Sequence, residues 1–166
     1  AAYTKQCMEE QNSVGGVIEC VVTGMPAGAG DPCFEKLDAN LAKAVLSIGA
    51  VKGFEIGSGF AAAKARGKQN NDPFVNHGNG IEKESNHAGG TLGGISDGSR
   101  IVLRAAVKPT SSIAAQQHTV NQKEENIEIS VKGRHDPVIV PRAVVVVEAM
   151  TALTIVDALM EEIDKL

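Results

Sequence analysis

The strongest constraint on the fold is the stretch from Pro141 to Leu166. It reads as one helix, apolar on nearly every side between Ala143 and Met160 and interrupted mainly by Glu148 and Asp157. A helix with one apolar stripe needs one neighbour, whereas a helix apolar all round is buried from several directions. A chain of 166 residues hardly supplies enough protein to surround it. The stretch therefore predicts further protein around it, either upstream sequence or partner subunits. Even so, no apolar run reads as approaching membrane-spanning length. No basic region followed by an apolar stretch marks a leader at the N-terminus.

Hydrophobic residues make up 43% of the chain, enough for a core in one domain or a large piece of one. One tyrosine, four phenylalanines and no tryptophan mean that aliphatic side chains fill that core, and base stacking on nucleic acid is disfavoured. A net charge of −4 provides no global field for nucleic acid or anionic membrane, so an anionic ligand needs local basic residues. Cys7, Cys20 and Cys33 lack metal-type spacing and read as reduced thiols of a cytosolic-type compartment.

Residues 1–13 are polar and suit a helical lead-in. The β-branched run Gly16–Thr23 predicts a strand, followed by a glycine- and proline-rich loop over Gly24–Asp31. Asp31 as a cap, with Pro32 at the first helical position, predicts a helix to about Ile48. Its buried face is Leu37, Leu41, Val45 and Ile48, with Glu35, Lys36, Asn40 and Lys43 opposite. Ala50–Ile56, Arg100–Val107 and Ile127–Lys132 read as strands. Residues 57–98 show no sustained periodicity, and a segment of that kind is usually functional or disordered. The sum is an α/β or α+β fold.

Several segments carry residues suited to chemistry. Ser47–Phe60 (SIGAVKGFEIGSGF) has small residues that admit a flat ligand or another backbone, although a plain helix-to-strand connection explains it more simply. Ser85–Gly98 (SNHAGGTLGGISDG) offers backbone N–H groups for an anion-binding concavity. The alternative there is a flexible surface loop, with His87 in a hydrogen-bonded structural role. Lys108–Ser112 (KPTSS) supplies an ammonium and hydroxyls that suit a phosphate or a polyol chain, or else a solvated strand exit. Gly133–Pro137 (GRHDP) places Arg134 and Asp136 before a helix N-terminus, where anions are favoured; the alternative is an Arg134–Asp136 pair fixing a turn. Nothing in the spacing of His87, His118 and His135 supports a metal site.

Taken in order, GMPAGAGDP, SIGAVKGFEIGSGF, SNHAGGTLGGISDG, VKPTSSI and GRHDPVIVPRAVVVVEAM resemble the chorismate synthase family, from about Ser13 to about Met160. The resemblance implies an α+β fold, an α/β sandwich with long buried helices packed against antiparallel sheets. It implies a carbon–oxygen lyase of the shikimate pathway. Such an enzyme eliminates phosphate from 5-enolpyruvylshikimate 3-phosphate in the anti sense to give chorismate, and needs reduced FMN without net redox change. Carried over by motif, flavin contacts fall on Gly49, Ala50, Gly93, Lys108, Pro109, Thr110, Ser111, Ser112 and Arg134. Asp136 takes the place of the acidic proton acceptor beside the flavin, and Arg134 also faces the substrate phosphate. No metal is implied. NADPH is the candidate flavin reductant, the assembly a homotetramer, and the location the cytoplasm, or the plastid in a plant or alga.

Two positions depart from the family's pattern. Gly49 stands where many members carry asparagine or proline, and Val145 where proline is usual. The family's GESHG-type segment, its arginine-rich substrate segment and both catalytic histidines lie upstream of the matching stretch. His77, His87, His118 and His135 do not match those histidines. Residues 1–166 are therefore expected to be the C-terminal part of a chorismate synthase domain, without the N-terminal catalytic part and inactive alone. Two other readings remain: a non-catalytic module holding a phosphate or nucleotide, and a structural or assembly fragment.

Overall fold

A computed structural model describes residues 2–78, 80–133 and 135–164. In chain order the elements are α1 (Ala2–Glu9), β1 (Gly16–Val22), α2 (Leu37–Leu46), β2 (Val51–Ile56), α3 (Gly67–Asn70), β3 (Phe74–Asn76) and β4 (Ile81–Lys83). They continue with β5 (Thr91–Leu92), β6 (Ile95–Ser96), β7 (Ile101–Val107), β8 (Gln117–Val120), β9 (Asn126–Ile129) and α4 (Val140–Asp164).

The centre is a three-stranded sheet in the order β1-β7-β2. Both pairings are antiparallel, from Gly16↔Val107 to Val22↔Ile101 on one side and from Val51↔Val107 to Ile56↔Leu103 on the other. This settles the class as α+β. Along β7, Ile101, Leu103, Ala105 and Val107 are buried while Val102 and Arg104 are not, the period-two signature of a strand packed on one face. Two helices cover that face. α2 contributes Leu37, Leu41 and Val45, each at most 1% exposed. Burial of such a side chain stabilises by about 1.5–3 kcal/mol. α4 contributes Val147, Thr151 and Ile155, one stripe at helical spacing.

Several expectations need correction. α2 begins at Leu37 and not after Asp31. Phe34 adopts φ 27°, which no α-helix accommodates, and the Leu37 N–H is taken by the Gly94 carbonyl at 2.8 Å. A tertiary contact therefore caps this helix. The strand predicted over Ile127–Lys132 is shorter, at Asn126–Ile129, and pairs with β8, which carried no strong signal. Residues 57–98 hold a 3-10 turn (Gly59–Lys64), a short helix and two small hairpins.

α4 also corrects the reading of membrane-spanning length. Val140–Glu162 is long and apolar enough to cross a bilayer by length and composition, because isolated Glu148 and Asp157 do not break such a run. Only 17% of its most apolar stretch is buried. Val145, Leu153, Val156 and Met160 lie opposite the packed stripe and are more than half exposed.

Candidate functional site

β7 runs out of the sheet at Val107 and delivers Lys108 to the edge where α2 ends. The Lys108 N–H donates to the Ala50 carbonyl at 2.8 Å, fixing the Gly49–Ala50 turn against the strand exit. Ala50 adopts φ 71°, a left-handed conformation that costs a non-glycine residue roughly 1–2 kcal/mol. Strain of this kind often marks ligand sites. A Cβ at Gly49 would meet nothing within 4 Å, so the side chain that many family members carry there has room.

Two further segments are laced to the same corner. The Ser13 hydroxyl donates to the Thr110 carbonyl at 2.6 Å, and the Val14 N–H to the Pro137 carbonyl at 2.8 Å. The Thr110 hydroxyl donates to the Asp136 carbonyl at 3.3 Å. Lys108, Pro109, Ser111 and Ser112 are exposed, so the ammonium and two hydroxyls face outward from a fixed backbone. The Asp136 carboxylate pairs with Arg142, in the first turn of α4, at 2.7 Å. Ser13, Met8, Ile113, Ala114, His135 and Asp136 line a cavity of about 180 Å³. The ring Nε2 of His135 lies 2.8 Å from the Val131 carbonyl, so that nitrogen carries the proton and the ring ties down the loop.

The structure thus brings Gly49, Ala50, Lys108, Pro109, Thr110 and Asp136 to one corner, with Ser111 and Ser112 following. Arg134 lies outside the described residues. Gly93 is elsewhere. Its neighbour Gly94 receives the first N–H of α2, whereas Gly49–Ala50 follow that helix's last turn. Ten residues of helix separate the two places by about 15 Å.

The glycine-rich Ser85–Gly98 segment does form an anion cradle, but the chain fills it itself. The N–H groups of His87 and Ala88 both donate to the Asp72 carboxylate at 2.8 Å, joined by the Ser85 hydroxyl at 2.7 Å. The Gly90 N–H goes to the Asn86 side chain at 2.9 Å. Beside Asp72, the Lys83 ammonium lies 2.6 Å from Asp97 and 3.5 Å from Asp72, and all three side chains are at most 6% exposed. Burial pushes the Asp72 carboxyl up, but the donors from Ala88, Ser85 and His87 outweigh it and hold the group well below the usual carboxylate range. Asp97 is also lowered: burial opposes, while Lys83 and Ser99 prevail. Sequence reading missed this cluster and the Arg142 partner. Asp72, Lys83 and Asp97 follow no period, and only contact in three dimensions relates them. Among the described residues, no group of three or more histidine, cysteine, aspartate or glutamate side chains is placed to hold a metal ion.

A family model described as chorismate synthase matches residues 1–160. A chorismate synthase from Agathobacter rectalis is 67% identical over 158 residues, which is 95% of this chain and 43% of the relative. One from the archaeon Archaeoglobus fulgidus is 60% identical over 152 residues, 91% of this chain and 42% of the relative. A crystal structure of chorismate synthase superposes with a TM-score of 0.79 at 36% identity, over 97% of this chain and 41% of that one. The chain therefore spans less than half the length of the relatives it matches.

Proposed function

Because the chain belongs to the chorismate synthase family, we propose that it forms one wall of a chorismate synthase active site, completed by an N-terminal catalytic part. The whole protein would act on 5-enolpyruvylshikimate 3-phosphate, with NADPH as the external source of flavin reduction. It would work as a cytoplasmic homo-oligomer. The chain alone would be inactive, because nothing here corresponds to the family's two catalytic histidines and arginine-rich segment.

One observation supports this reading above the rest. Segments around residues 13, 50, 108 and 136 are hydrogen-bonded into a single corner that presents one ammonium and two outward-facing hydroxyls. This donor set suits FMN: a phosphate needs charge-assisted donors and a ribityl chain needs hydroxyl partners. Bound reduced FMN would supply a reversible electron donor at the substrate. Lys108 would hold its phosphate, and Thr110, Ser111 and Ser112 its phosphate or ribityl oxygens. Pro109 fixes the strand exit, and Gly49 and Ala50 leave room for close approach. Arg134 would face flavin and substrate phosphate. Asp136 would accept the proton, with its carboxylate held in place by Arg142. Gly93 joins the proposed contacts by motif alone.

Flavin titration tests the proposal. The chain is expected to bind reduced FMN weakly and without turnover. Lys108→Ala should weaken binding about tenfold, the worth of one charge-assisted hydrogen bond of about 1.4 kcal/mol. Indifference to FMN together with tight binding of another nucleotide would favour the non-catalytic module instead.

A further inference from the structure

Residues 57–98 are held to the body in two different ways. The later part, 86–98, is fixed by backbone hydrogen bonds. The Ser96 N–H donates to the Ala29 carbonyl and the Gly28 N–H to the Ser96 carbonyl, both at 2.9 Å, and the Leu37 N–H donates to Gly94. Gly89, Gly90, Thr91, Gly94 and Ser96 are buried. The earlier part, 60–84, has no buried residue among those described. Its β3–β4 hairpin leaves Phe74 and Ile81 more than half exposed. Yet its Asp72 and Lys83 side chains are only 3% and 2% exposed.

Both of these side chains reach across to the fixed part. Asp72 accepts the His87 and Ala88 N–H groups at 2.8 Å. The Lys83 ammonium donates to the Asn86 side-chain oxygen at 3.0 Å and to Asp97 at 2.6 Å. The two roots of the earlier part are anchored independently of this cluster. The Gly57 N–H donates to the Val102 carbonyl at 2.8 Å, beside the Ile56↔Leu103 pair, and the Asn86 side-chain amide donates to the Arg100 carbonyl at 2.8 Å. Withdrawal of 60–84 therefore breaks no pairing of the central sheet. Docking through buried charges also carries a desolvation cost that largely offsets their attraction. A segment with few buried apolar contacts lies at the low end of local stability.

We propose that residues 60–84 form a flap that opens as one unit about these roots, and that the Asp72–Lys83 latch, not apolar packing, holds it shut. Asp72 acts as the chain's own ligand for the cradle at His87 and Ala88. Opening withdraws that carboxylate and bares the two N–H groups. The latch is enclosed within this chain, so a neighbour lying over the outer face of the flap would leave it in place. The inference does not rest on the flavin reading.

Amide hydrogen exchange of the full chain, followed by NMR, tests this. In the unsubstituted chain His87 and Ala88 are expected to share one protection factor, at least about tenfold below those of Leu37, Ser96 and the β7 amides. Glu84, whose N–H donates to Pro73 at 3.0 Å inside the hairpin, should share it, because a lone hairpin is marginal in water. Asp72→Ala should lower the protection of Glu84, His87 and Ala88 by about a further tenfold through loss of the charge-assisted hydrogen bonds, and leave Leu37 and Ser96 unchanged. Formate, which replaces the lost carboxylate, should restore the protection saturably, whereas formamide or sodium chloride at equal concentration should not. A merely structural role for Asp72 would not respond to a free carboxylate. Ile81→Ala, an apolar truncation on the flap, should change these values by less than about threefold. Equal protection of His87, Ala88 and Ser96 in the unsubstituted chain would overturn the proposal. So would a uniform loss across the chain in Asp72→Ala, or no selective restoration by formate. The first comparison needs no variant, so the proposal stays falsifiable if Asp72→Ala fails to fold.

Discussion

Gly57 shows how closely two backbones meet in this protein. It adopts φ 55°, and a Cβ there would fall 2.5 Å from the Gly89 nitrogen and 2.7 Å from the Ala88 carbonyl carbon. Neither neighbour is a flexible side-chain end that could swing away. The small residues of SIGAVKGFEIGSGF thus admit another backbone at this point. Gly57→Ala is expected to combine the left-handed penalty of about 1–2 kcal/mol with the cost of separating the two segments, at least about 3 kcal/mol together. Gly67→Ala is the control, since a Cβ there meets nothing within 4 Å and its φ is not left-handed. It should change stability by less than about 1 kcal/mol. Denaturant unfolding of both variants checks this, and equal midpoints would show that the close approach is not maintained in solution.

At the scale of elements, residues 57–98 are held by a buried ionic cluster and not by a hydrophobic core. Phe60, Phe74 and Ile81 in this segment are all more than half exposed, while Asp72, Lys83 and Asp97 are enclosed. Both carboxylates have pKa values depressed by folding. Their contribution to stability is therefore present in full above the ordinary aspartate value of about 3.9 and fades as pH falls through the lower folded values. Carboxyl titration by NMR should give midpoints below about 3.9 for both. Lys83→Met should raise the Asp97 midpoint more than that of Asp72, whose donors are Ala88, Ser85 and His87. A larger effect at Asp72 would show that the cluster is wired differently. The same cluster marks the limit of what the sequence reveals. β1, β7 and the buried stripe of α2 were legible because their period is local. So were Lys108–Ser112 and Asp136 as candidate ligand residues, because their chemistry stands in short motifs. The start of α2 was not legible, because the group that satisfies Leu37 is the carbonyl of Gly94, far along the chain. Nor was the anion that fills the Ser85–Gly98 cradle, because Asp72 reaches it only once the segment has folded back.

At the scale of the whole molecule, α4 carries two apolar faces, and among the described residues only one has a neighbour. Val147, Thr151 and Ile155 pack inward, while Val145, Leu153, Val156 and Met160 stand 52–65% exposed on the opposite side. A row of four large aliphatic side chains on one helix face is the kind of patch that marks an interface. Under the proposed function it is covered by the N-terminal part of the domain or by partner subunits. In isolation the chain should therefore self-associate at micromolar concentration. Leu153→Glu with Val156→Glu should return it to a monomer, with a melting temperature close to that of the unsubstituted chain, because neither residue packs inward. Val147→Glu should instead unfold it, since a charge would be placed at a site with 0% exposure and no partner among the buried residues. Light scattering and thermal melting read both effects. A clean, stable monomer of the unsubstituted chain would remove the need for a cover. Partition of the chain into lipid vesicles, abolished by the paired glutamates, would show that the length and apolarity of Val140–Glu162 serve a bilayer and not a protein neighbour.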